Sequence, residues 1–208
     1  TLLRIFSGQW YADSGEVELL GQQVGRLSRQ QLFALRKRVG VLFQEGGLFS
    51  DLNVFDNVAF PLRQHTDWDD RMIKDLVLLT LEMVGLRGAS ELTVDQLSGG
   101  MARRVALARA VIMGPKVMFY DEPFTGQDPI SRGVLTELIL KLNNAFNMTS
   151  IVVSHDVPET VRIADEIFLL ADGQLIAQGH PSALMVDQDQ RVQQFLQGLA
   201  DGPVSFHY

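Results

Sequence analysis

The stretch QLSGGMARRVALARA, residues 96–110, decides how this chain is read. A serine and two glycines stand where a helix should begin, and alternating apolar residues with three arginines follow. Ser98 can cap that helix, and the bare backbone at Gly99 and Gly100 lets an anion approach free N–H groups. Yet nothing in the chain reads G-x-x-x-x-G-K-[ST], the loop that ordinarily wraps a nucleotide's phosphates. Which anion the helix faces, and what holds the rest of it, must be settled by the flanking sequence.

Downstream, KVMFYDEP (116–123) and TSIVVSHD (149–156) are near-continuous apolar runs ending abruptly in polar residues. That pattern predicts central parallel strands, buried on both faces, with function at their C-terminal ends. Adjacent strand residues point to opposite sides, so Asp121 can address a magnesium ion while Glu122 addresses an attacking water. Read alone, DE at a strand end is as readily an acidic end pointing into solvent. His155, in VVSHD, can donate to a phosphate oxygen, although most lone histidines are structural. Asp128, in TGQDP, is equally well explained as the cap of the amphipathic helix over 128–146.

Upstream, VGVLFQ (39–44) predicts a short strand ending in Gln44, whose amide oxygen can ligate Mg²⁺ or its water, with Gly46 and Gly47 as a hinge. By itself this is better read as a polar strand end and a turn. Residues 52–65 and 68–85 carry helical periodicity, with Pro61 a kink or break. Before them, residues 15–28 read as two short strands around Gly21, and 28–38 as a helix. After His155 come a helix near 157–164, a hairpin turning at Asp172 and Gly173, and two short helices. The mainly helical stretch, about 50–113, reads as a subdomain inserted in an α/β core.

Composition narrows the classes. The 208 residues are 46% hydrophobic and 21% charged, an ordinary globular balance. A net charge of −7 argues against a nucleic-acid partner bound by broad phosphate neutralisation. Zero cysteines exclude disulfides, thiol catalysis and cysteine metal sites. No apolar run approaches the ~18–20 residues that span a bilayer, and no secretory leader is recognised. A membrane role is therefore expected through a partner.

In combination, a strand-end glutamine, LSGGM opening a helix, four apolar residues with DE, and a strand ending in SHD occur in order. This order resembles the ATP-binding subunit of ABC transporters over essentially the whole chain. The matching pieces are the Q-loop at Gln44, the signature LSGGM (97–101), the Walker B segment VMFYDE (117–122), the D-loop FTGQDP (124–129) and the switch histidine, His155. The resemblance implies a P-loop NTPase, RecA-like α/β core with an inserted helical subdomain, a small antiparallel β part and a C-terminal extension at about 187–208. It also implies a single ABC domain over 1–208, binding ATP and Mg²⁺, with Gln44 and Asp121 at the metal and Glu122 and His155 catalytic. Two cassettes of the family pair head to tail, so Ser98, Gly99 and Gly100 would meet the γ-phosphate of ATP held by a second copy. The family's usual glutamine after the glycines is Met101, which offers no amide. The usual serine-alanine of the D-loop reads Thr125, Gly126 and Gln127.

Thr1-Leu2-Leu3-Arg4 matches the residues just after the family's phosphate loop, so that loop and its strand are expected upstream of residue 1. Thr1 itself is then a candidate α-phosphate contact. FQEGGLFSDLNVFDNVAFPLRQHT (43–66) and GLADGPVSF (198–206) are similar to Mla-type cassettes, which power phospholipid movement between the membranes of Gram-negative bacteria. This implies a permease, a periplasmic lipid-binding subunit and a cytoplasmic STAS-domain protein as partners, at the cytoplasmic face of the inner membrane. Alternative readings are an ABC-type ATPase of DNA repair or chromosome maintenance and a nucleotide-sensing regulatory module. The first usually carries long coiled-coil insertions, and the second often lacks a glutamate such as Glu122.

Overall fold

The computed structural model describes residues 1–204. The chain forms two compact units, Thr1–Ser154 and His155–Tyr208.

The first unit opens with a short helix, α1 (Leu2–Phe6), then a hairpin of two-residue strands, β1 (Glu18–Leu19) and β2 (Gln22–Gln23). Ser28 starts α2 (Arg29–Arg36) with a full capping box: its hydroxyl accepts from Gln31 N–H, and the Gln31 side chain accepts from Ser28 N–H. β3 (Val39–Leu42) follows, and then three helices: α3 (Val54–His65), α4 (Asp70–Met83) and α5 (Gly99–Val111). Asn53, Asp69 and Ser98 cap these three through their side chains. α3 runs through Pro61 unbroken, so the break considered there does not occur. Its stripe of Val54, Val58 and Leu62 is buried, as are Val77 and Leu81 of α4 and Val105, Ala108 and Val111 of α5. Full burial of each such valine or leucine contributes roughly 1.5–3 kcal/mol. All three helices lie within the stretch expected to be helical, residues 50–113.

β4 (Val117–Asp121) continues the chain, followed by α6 (Pro129–Phe146) and β5 (Thr149–Val153). β3, β4 and β5 form a parallel sheet in that order, with Leu42 opposite Tyr120 and Asp121 opposite Val153. Two expectations need correction here. β4 is buried on both faces, but β5 is only half-buried, with Thr149 and Val153 exposed, because among the described strands it is an edge. β3 stops at Leu42, which leaves Gln44 in the turn beyond it.

One face of the sheet packs Val117 and Phe119 against Leu3 and Phe6, the Phe6 and Phe119 rings lying 6.3 Å apart. On the other, Leu42, Met118 and Tyr120 are fully buried. Gly40 makes room for close packing. A Cβ there would sit 2.7 Å from the Ala110 carbonyl oxygen of α5 and 2.5 Å from Met118 Sδ.

The second unit comprises α7 (Val157–Ile163), β6 (Ile167–Ala171), β7 (Gln174–Gly179), α8 (Pro181–Leu184) and α9 (Gln190–Gln197). β6 and β7 pair antiparallel through a turn at Asp172 and Gly173, both at positive φ, as the Asp-Gly pair predicts. Gln194 of α9 is buried and exchanges two hydrogen bonds with the Val204 backbone. The last four residues of the expected C-terminal extension, 205–208, lie outside the described residues. Among the described residues no helix is long and apolar enough to cross a membrane.

Candidate functional site

The mouth of the parallel sheet gathers three of the sequence candidates. Asp121 is the last residue of β4, Glu122 follows it, and Gln44 stands two residues beyond the end of neighbouring β3. Neighbouring strands run about 4.8 Å apart, so the carboxylate of Asp121 and the amide of Gln44 open onto the same end of the sheet. Both side chains present oxygen, the donor that Mg²⁺ prefers, and neither is buried. No group of three acidic or histidine side chains suited to a metal occurs among the described residues. The pair offers two oxygen donors of the kind Mg²⁺ takes when water and phosphate supply the rest of its shell.

The strand-alternation argument for Glu122 does not hold. β4 ends at Asp121, and Glu122 adopts the left-handed conformation, φ +48°. Such a conformation costs a non-glycine residue roughly 1–2 kcal/mol, so neighbouring contacts must hold it. Glu122 N–H donates to the Val153 carbonyl on β5 at 2.9 Å. Thr125 Oγ1 donates to Glu122 Oε2 at 3.2 Å, and Thr125 N–H to the Glu122 carbonyl at 3.3 Å. The direction of this carboxylate is therefore set by a turn and by Thr125. Tyr120, just before Asp121, is fully buried, and burial pushes its hydroxyl up to about 12, so it stays neutral.

Ser98 caps α5 as predicted, its Oγ accepting from Met101 N–H at 3.2 Å. The hydroxyl hydrogen is left to donate elsewhere. The first turn of a helix has N–H groups without intrahelical partners and the positive end of the dipole. A Cβ at Gly99 would meet nothing within 4 Å, so the approach to that end is open. A Cβ at Gly100 would crowd Ser131 Oγ at 3.3 Å. Beside it lies a cleft of about 190 Å³ lined by Ser98, Gly100, Arg103, Gln127 and Ser131, among others. These features suit an anion arriving from outside. Arg103, which lines the same cleft, also reaches the turn at residues 122–125, so α5 links its own N-terminal end to the strand mouth.

The remaining candidates lie at two helix starts and just beyond β5. Asp128 is an exposed N-cap accepting from Ile130 and Ser131 N–H, both at 3.0 Å; hydrogen bonds from Ser131 hold its carboxyl below the usual range. Thr1 is exposed at the start of α1 and makes no side-chain cap. His155 is exposed and begins the second unit.

Sequence reasoning missed the side chains that hold these turns. Arg109 of α5 donates to the carbonyls of Gly46 at 3.0 Å and Gly47 at 2.8 Å, and lies over the Phe49 ring. Fully buried Asn57 accepts from Phe49 N–H at 2.9 Å and donates to the carbonyls of Phe49, Leu52 and Asn53. Arg103 donates to the Thr125 carbonyl at 3.0 Å and, more weakly, to that of Glu122 at 3.4 Å. Burial lowers both guanidinium pKa values, although arginine remains charged. One signal was present: Asn57 sits on the apolar stripe of α3, and a polar side chain there must find partners.

Residues 1–125 match the ABC transporter family. The whole chain is 54% identical over 208 residues to the intermembrane phospholipid transport system ATP-binding protein MlaF of Haemophilus influenzae, covering 79% of that protein. It is 52% identical to MlaF of Escherichia coli K12, covering 77% of it. Among solved structures, a dimeric post-hydrolysis state of an ATP-binding cassette bound to ADP and Pi superposes with a TM-score of 0.78 at 27% identity. That match covers 86% of this chain and 79% of the other.

Proposed function

The chain belongs to the ABC transporter family and is an ATPase subunit of it, and on that premise we propose that it drives phospholipid movement between the inner and outer membranes of a Gram-negative envelope. The single observation carrying this reading is 54% identity along all 208 residues to a protein named for intermembrane phospholipid transport. The chain then sits at the cytoplasmic face of the inner membrane, held by a permease, with a STAS-domain protein and a periplasmic lipid-binding subunit in the same complex.

Asp121 and Gln44 would hold Mg²⁺, which would supply charge neutralisation at the phosphates. Glu122, aimed by its left-handed turn and by Thr125, orients the attacking water and takes up its proton. Ser98, Gly99 and Gly100 offer a hydroxyl and the N–H groups of α5 to the γ-phosphate of ATP bound to a second copy. Because Met101 brings no amide, the contact falls to the hydroxyl and backbone. His155 donates to a γ-phosphate oxygen, Thr1 contacts the α-phosphate, and Asp128 fixes the D-loop at the dimer contact. Residues 46–62 dock the permease, since they follow Gln44 directly and expose Phe49 and Phe60.

The test is reconstitution with the permease in liposomes. Lipid transfer should require ATP and stop in Glu122→Gln, and ATP-independent transfer would remove the assignment. Ser50→Arg or Asp51→Arg should weaken co-purification with the permease while ATP affinity persists. Loss of ATP affinity with intact assembly would instead place residues 46–62 in the nucleotide site.

A further inference from the structure

α5 does more than present Ser98. Arg103 and Arg109 lie on one rigid helix, six residues apart, and so point to different sides of it. Arg103 grips the backbone of residues 122–125, which carries Glu122. Arg109 grips the backbone at Gly46 and Gly47, just beyond Gln44. Its planar fork places Nη2 between two carbonyls and Nη1 within 3.4 Å of Asn57 Oδ1, an arrangement a lysine cannot copy. Asn57 in turn fixes the Phe49 backbone, so the whole turn from 46 to 49 is tied to α5 and α3.

We propose that Arg103 and Arg109 are positioning residues that make α5 a strap between the two strand-end turns of its own cassette, setting Glu122 and Gln44 together. Resting on the head-to-tail reading above, the strap lets an anion seated at Ser98 by one cassette adjust both turns of the other. Each arginine acts through the backbone carbonyls it holds, and Arg103 also lines the cleft beside Ser98. The two turns differ in what they need. Gly46 and Gly47 have cheap access to positive φ and would wander without Arg109. Glu122 is strained at φ +48° and would relax without Arg103.

The experiment is hydrogen exchange on the nucleotide-free transporter assembled with its permease, alongside kcat and KM for ATP. Arg109→Met should speed exchange in residues 43–49, where Gly46 and Phe49 N–H are bonded, by about tenfold while leaving residues 122–127 unchanged. Arg103→Met should do the converse. Each should lower kcat by about 10–100-fold at unchanged KM, the scale of a misplaced catalytic group. Arg109→Lys and Arg103→Lys keep the charge but reach a single carbonyl, so both measures should fall between; they carry the test should a methionine variant fail to assemble. Unchanged exchange in the turn each arginine grips overturns the strap. So does faster exchange spread equally over β3, β4 and β5, which marks a general folding role. A wild-type transporter that hydrolyses no ATP sinks the functional reading, while the exchange pattern still decides the strap.

Discussion

Beyond β3 the chain turns through Gly46 and Gly47 at φ +72° and +59°; beyond β4 it turns through Glu122 at φ +48°. The first turn uses residues for which positive φ is nearly free. The second places a carboxylate in a conformation glycine would adopt more readily. A need for the side chain would explain that choice, since strain of this kind gathers where chemistry is done. On the proposed mechanism the first turn carries a neighbouring glutamine, whereas the second aims its own carboxylate. Both are held by α5, but only the second places a non-glycine residue at positive φ.

The largest effect should come from Glu122→Gln, which keeps shape and removes the base. Steady-state hydrolysis should fall by about 10²–10⁴-fold with ATP binding retained; turnover within a few fold of wild type would make the strain at Glu122 purposeless. At the glycine turn, Gly46→Ala and Gly47→Ala should each cost roughly 1–2 kcal/mol from positive φ. Gly46→Ala should be the worse, since its Cβ would lie 3.3 Å from Ala106 Cβ, whereas the nearest atom at Gly47 is 3.8 Å away. Chemical denaturation reads the difference, and equal stability to wild type at both would mean the turn refolds differently. The smallest change in stability should be that of Glu122→Gly, a gain of up to about 1 kcal/mol from released strain less the added backbone freedom of glycine, with hydrolysis lost as in Glu122→Gln. A loss of stability there would show that the contacts of the Glu122 side chain outweigh the strain.

Much of this was legible in the sequence because it rests on local rules. Ser98 and Asp128 announce helix starts by their type, Asp172 and Gly173 announce a hairpin, and the apolar run VMFY announces a buried strand. What escaped is set by distant contacts. Glu122 looks like a strand residue until its φ of +48° is seen. Residues 149–153 have the apolar run of a central strand, yet exposure depends on what lies beside them, which periodicity does not encode. Arg103 and Arg109 read as solvated charges on a helix because their targets are backbone carbonyls more than fifteen residues away, and carbonyls leave no mark in a sequence.

The claim that the anion end of α5 serves a nucleotide held by another copy is tested most directly with mixed transporters. Ser98→Glu places a carboxylate where a phosphate should sit, and Glu122→Gln disables the water. With Ser98→Glu in one cassette and Glu122→Gln in the other, head-to-tail sharing leaves one site with both residues intact. With both substitutions in the same cassette and the other wild type, each of the two sites carries one defect. The account predicts ATP turnover at least about tenfold higher when the substitutions are split between cassettes than when they share one. The reverse order, with the shared arrangement the more active, would show that Ser98 and Glu122 of one chain serve the same nucleotide and would contradict it.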